Sequence, residues 1–208
     1  MRTTLVASLA AATVSVFLVA GCSSDTSDMP MDGHSVGSPN SSSASTTQSD
    51  ASAEFNDADV MFARMMYPHH AQAVEMAAMV QGRTDNPDVV ALASAIEAGQ
   101  QPEMDRMTVW LAEWGQPAPS SDIGEMSGMD HSSGMGMMTQ QDMDALSAAT
   151  GAEFDRQWLT MMIEHHEGAI EMANIEIADG SNPDAQEMAR TIVATQQQEI
   201  DTMRTLLG

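Results

Sequence analysis

Two stretches of the chain carry apolar residues at helical spacing, and they carry them in the same arrangement. Positions three, four and seven apart share one face of a helix. Over about 56–81, Met65, His69, Ala73 and Met76 form one stripe, with Met66, His70, Ala73 and Ala77 beside it. Over about 152–178 the stripes are Met161, His165, Ala169, Met172 and Met162, His166, Ala169, Ala173. Phe62, Met79 and Val80 extend the apolar side of the first stretch. A second helix follows each stretch, over about 87–114 and 183–207. Asn86-Pro87-Asp88 and Asn182-Pro183-Asp184 open these helices with an N-cap, a proline at the first helical position and an acid in the first turn. Gly115 and Gly208 act as stops. A short extra helix over about 140–149 is signalled by Thr139-x-x-Asp142 and ended by Gly151.

His165 lies 96 residues after His69, and that offset aligns the chain without a gap from Asp59/Asp155 to Leu111/Leu207. MMYPHHAQAVEM at 65–76 thus faces MMIEHHEGAIEM at 161–172, and Gln100, Glu103 and Met107 face Gln196, Glu199 and Met203. The repeat is a helical hairpin with an apolar stripe, which a single copy cannot bury. The expected fold is all-α, a four-helix bundle built from a duplicated helical hairpin with one short extra helix. Pro68 interrupts the first helix where the second copy has Glu164, and Pro102 stands where it has Gln198. Either proline removes a backbone hydrogen bond and is expected to allow a kink.

The flanks read differently. Arg2, the apolar run LVASLAAATVSVFLVA and then Gly21-Cys22 have the form of a signal peptide over 1–21, with Cys22 as the lipidated first residue of the mature chain. Residues 22–53, rich in Ser, Thr, Asp and Gly, are expected to be a disordered tether. The bundle domain then covers 54–208, with repeat halves at about 56–114 and 152–208 joined by a Met-rich loop at 115–138. Cys22 is the only cysteine, so no internal disulfide framework exists. With 30 Asp and Glu against 7 Arg, the net charge is −23. Such a chain has no electrostatic basis for binding nucleic acid, and its field attracts cations.

Four imidazoles in an apolar bundle interior are costly unless they bond to something. Bonds to Glu75, Glu103 or their copies are one solution, and a metal ion is the other. Methionine, at 21 residues, points to a soft ion, since thioethers favour Cu(I) over Zn(II), Fe(II) or Mn(II). The candidate metal ligands are His69, His70, His165, His166, Met65, Met66, Met76, Met161, Met162 and Met172. Secondary candidates are Met107 and Met203 on the second helices, and Met126, Met129, His131, Met135, Met137 and Met138 in the loop. Methionines in a Gly/Ser-rich loop with nothing to pack against argue most strongly for copper. Cu(I) is favoured, Cu(II) being accessible through imidazole. A di-iron carboxylate enzyme needs Glu-x-x-His motifs, and none occurs. No nucleophile motif suggests another catalyst, so the expectation is a binding protein with no catalytic residues. An acidic interaction bundle whose His-Met stripes are plain core is the remaining alternative. The sequence names no protein partner.

MMYPHHAQAVEMA and FDRQWLTMMIEHHEGAIEMA together resemble the family known as domain of unknown function 305, across about 54–208. The resemblance implies a ferritin-like helical bundle, usually exported, with some members linked to copper or silver binding and no known enzymatic activity. Carried onto this chain, its signature falls on His69, His70, His165 and His166, with Met65, Met66, Met161 and Met162. The first copy departs from it at Pro68 and at Ala71-Gln72, where the second has Glu167-Gly168.

Overall fold

The computed structural model describes residues 54–120 and 135–208, where five helices and no strand are found. The signal segment, Cys22, the tether, and Met126, Met129 and His131 of the loop lie outside the described residues. Helix α1 runs Asp57–Ala78, α2 Pro87–Glu113, α3 Gln140–Ala148, α4 Gly151–Asp179 and α5 Pro183–Leu207.

The starts are set by local chemistry. Asn56 caps α1 with a reciprocal bond to Asp59, and Thr139 and Asp142 do the same for α3. Asn86 and Asn182 accept from the amides of Asp88 and Asp184, each with proline at the first helical position. Gly151 corrects the expectation that it ends α3. That helix stops at Ala148, and Gly151, with φ +59°, is the first residue of α4. Its left-handed backbone turns the chain between two helices, and its N–H donates to Arg83 O (2.7 Å). Pro68 and Pro102 lie inside α1 and α2, whose helical runs continue through them.

α1 packs on α2 and α4 on α5, and the two hairpins meet through α1 and α4, whereas α2 and α5 touch only slightly. The buried indole of Trp158 on α4 donates to Met76 O on α1 (2.9 Å). Two apolar clusters form the core. One joins Ala73 and Met76 of α1, and Val80 just after it, to Phe154, Trp158 and Met162 of α4, with Met143 and Leu146 of α3 against them. The other joins Phe62, Ala63 and Met66 to Ala169, Met172 and Ala173. Each cluster takes opposite ends of α1 and α4, so the two helices run antiparallel. On both helices the histidine pair falls between the clusters, forming a polar layer between two apolar halves.

Two aspartates tie the hairpins reciprocally. Asp59 of α1 accepts from the backbone of Ser181 (3.2 Å) and Asn182 (2.8 Å), just before α5. Asp155, its counterpart on α4, accepts from Asn86 Nδ2 (3.3 Å), just before α2. No helix among the described residues is long and apolar enough to cross a membrane.

Candidate metal centre

The two inner histidines meet across the α1–α4 interface. His69 and His165 have ring centroids 3.7 Å apart at 37°, and both are buried, as are His70 and His166. The outer pair is held from behind. His70 Nε2–H donates to Glu103 Oε2 of α2 at 2.7 Å, and His166 Nε2–H donates to Glu199 Oε2 of α5 at 2.7 Å. With Nε2–H given to a carboxylate, Nδ1 is the nitrogen of either ring that can offer a lone pair. His69 Nε2–H donates to Met135 O at 2.9 Å.

Five ring nitrogens then have no partner: Nδ1 of His69, His70 and His166, and both nitrogens of His165. An unpaired buried polar atom costs about 1–3 kcal/mol, so five in one layer are a poor way to finish a core. Burial, followed by repulsion from His70, drives His69 down to about 3 against the bond to Met135. Burial and the neighbouring imidazoles hold His165 well below the usual histidine value. Both rings are therefore neutral at physiological pH and able to donate lone pairs to a cation. A carboxylate that fixes one ring nitrogen while the other stays free is also how metal-ligating histidines are commonly oriented.

Among the described residues no three His, Cys, Asp or Glu side chains are gathered tightly enough to enclose an ion. Thioethers stand outside that grouping. Met66 and Met162, one turn before the histidine pairs, are fully buried, while Met65 and Met161 are half-buried. Met76, Met107 and Met203 are fully buried in the clusters, and Met172 nearly so. The duplicated carboxylates Glu75 and Glu171 are exposed, leaving only Glu103 and Glu199 against the histidines. That is not the inward carboxylate set a di-iron bundle needs.

The end of the central loop corrects a second expectation, because Met135 and Met138 do pack. Met135 lies against one cluster and Met138 against the other. Residues 135–138 form a strap over the histidine layer, and Gln72 clamps it. Gln72 Nε2 donates to Met138 O (2.9 Å), and Met138 N donates to Gln72 Oε1 (2.7 Å). Opposite, Gly168 makes room: a Cβ there would sit far inside contact with the carbonyl of Met135. Gln72 and Gly168 occupy equivalent positions in the two copies, so the departure between the repeats has a structural cause. Met137 and Met138 border a second, acidic depression with Asp142, Glu164 and Glu171.

Three features carried no clear sequence signal. Glu176 is buried beside Asp59, and burial, then a hydrogen bond to Asp59 and its charge, push it up to about 8. Burial would raise Asp59 as well, but bonds from the backbone of Asn56, Asn182 and Ser181 outweigh it and lower its pKa. The third is Met61, which lines a cleft with Met65, Met135 and Met172.

Residues 59–207 match the family described as Domain of unknown function (DUF305). The chain belongs to the DUF305 family. This DUF305 protein is similar to a DUF305 fragment from Deinococcus radiodurans at 35% identity and TM-score 0.66, covering 74% of this chain and 97% of that one. It is similar also to a DUF305 protein from Streptomyces coelicolor, named as a candidate secreted protein, at 37% identity and TM-score 0.64, covering 72% and 91%. CopM in its Cu(II)-bound form matches at 31% identity and TM-score 0.61, covering 72% and 95%. CopM has also been solved with Cu(I) and with silver. No curated protein matches the chain.

Proposed function

We propose that this DUF305 protein binds copper and sequesters or delivers it without making or breaking a bond in a substrate. The ion is cargo, taken at the imidazole layer between α1 and α4 by nitrogens drawn from His69, His70, His165 and His166, fewer than three of which are gathered on one point in this structure, so that thioethers complete the site. Thioethers from Met65, Met66, Met161 and Met162, and from Met76 and Met172, serve as further donors. Cu(I) is favoured by the thioethers, and imidazole accepts either oxidation state. The observation that carries this reading is the set of five buried ring nitrogens without partners, two of them on rings oriented by Glu103 and Glu199. Copper- and silver-bound forms of CopM, a relative of the same family, support it.

A competitive titration of Cu(I) against a chromogenic chelator tests the reading. At least one equivalent is expected to bind the native chain. Replacing all four histidines by alanine should lower the bound Cu(I) by one equivalent, and unchanged binding by that variant would sink the assignment. Export and lipid attachment at Cys22 belong to the same reading and rest on the form of residues 1–22. Cys22→Ser is expected to move the protein from the membrane to the soluble fraction, and retention in the membrane would contradict lipidation.

A further inference from the structure

Met61, Met65, Met135 and Met172 line one cleft of about 290 Å³ between α1, α4 and the strap. Met61 is 43% exposed at its rim, so the cleft is reachable from solvent. Apart from Phe62 and small or aliphatic neighbours, the remaining lining residue is Glu176. That side chain is fully buried, and its polar neighbour Asp59 is a carboxylate that can accept a bond from it but donate none. Asp59 can take one bond from this acid, and its other oxygen lies buried against an apolar groove, which is a cost.

The cleft lies between the two copies of the repeat, and the twofold-related position is lined by different residues. Across the 96-residue offset Met61 corresponds to Gln157 and Glu176 to Val80, while Met135 comes from the strap and has no counterpart. Core packing common to the two copies therefore does not account for it. Four neutral, polarisable sulfurs suit a soft monovalent ion and discriminate against hard divalent ones. A cation entering an apolar groove also needs an oxygen or a counter-charge, and Glu176 is the one carboxyl among the lining residues.

We propose that this cleft is a second metal site beside the imidazole layer, which takes a soft monovalent cation such as Cu(I) or Ag(I) on the thioethers of Met61 and Met135, its own, and of Met65 and Met172, which the two sites share, with the Glu176 carboxyl facing it. The choice of ion rests on the metal-binding reading above; the place does not. Met135 also connects the two sites, since its carbonyl accepts the bond from His69.

Silver is the probe, because it keeps one oxidation state. Silver uptake by equilibrium dialysis with metal analysis is compared among the native chain, Met61→Leu/Met135→Leu, and the chain with all four histidines changed to alanine. Methionine-to-leucine changes nearly conserve volume, and circular dichroism checks the fold. The double leucine variant is expected to lose one equivalent of silver, and the histidine variant to keep that equivalent. In the native chain labelled with methyl-13C methionine, the Met61 signal should shift as silver is added. Glu176→Gln should weaken the site by about tenfold or more. An unchanged silver count in the double leucine variant, or a Met61 signal that stays put at saturation, overturns the proposal. Silver lost only from the histidine variant refutes the cleft and leaves the imidazole site standing. Silver lost only from the leucine variant supports the cleft and counts against the imidazole site.

Discussion

A buried imidazole has two nitrogens to satisfy, and a carboxylate at one of them leaves the question of the other. His70 and His166 each give Nε2–H to a glutamate 33 residues further along the chain, at the same 2.7 Å. If these bonds only completed the core, their loss would change stability and little else. If they orient ligands, loss should appear in metal affinity, where such partners are typically worth about 10–100-fold. Glu103→Gln and Glu199→Gln together are therefore expected to weaken Cu(I) binding by that order while the fold persists, measured by chelator competition. Unchanged affinity would reduce both glutamates to packing. At this scale the sequence was partly legible. The paired histidines and duplicated Glu103/Glu199 stand out by their repetition, but helical spacing cannot say that Glu103 rather than Glu75 reaches the ring. That choice depends on how α2 is rotated against α1, a long-range property.

Among the elements, the helices follow from periodicity and capping residues, and their observed bounds agree closely with the spacing. The turn at Gly151 is not legible in the sequence, because a glycine after a short helix signals a stop and a left-handed start equally well. The strap is less legible still. A Gly/Ser/Met-rich run has no periodicity from which to infer that residues 135–138 cross two helices. Its trace in the sequence was the mismatch of Gln72 with Gly168, visible as a difference between repeats but silent about its cause. At Gly168 the strap lies directly against α4, with a backbone carbonyl in the way of any Cβ. Gly168→Ala must displace that backbone, and overpacking of this kind costs about 1–3 kcal/mol. Urea unfolding is expected to show that loss. Stability equal to the native chain would mean the strap does not rest on Gly168.

The molecule is two similar hairpins joined through α1 and α4, with apolar clusters at either side of a histidine layer. A twofold duplication brings equivalent side chains together at the interface of the copies, which is why His69 lies on His165. The duplication and the all-helical bundle were legible because they are written as a fixed offset and a 3.6-residue period. The one-sided features, namely the strap, the Asp59–Glu176 pair and the methionine cleft, were not, since each depends on contacts outside the repeat. The chain's charge of −23 gives cations a favourable approach to both candidate sites. X-ray absorption at the copper edge of the Cu(I)-loaded protein tests the central claim most directly, because imidazole and thioether donors leave distinct signatures. The account predicts nitrogen scattering with the imidazole outer-shell pattern, together with sulfur, at one equivalent of copper. A shell of oxygen donors alone, with neither imidazole nor sulfur, would contradict it.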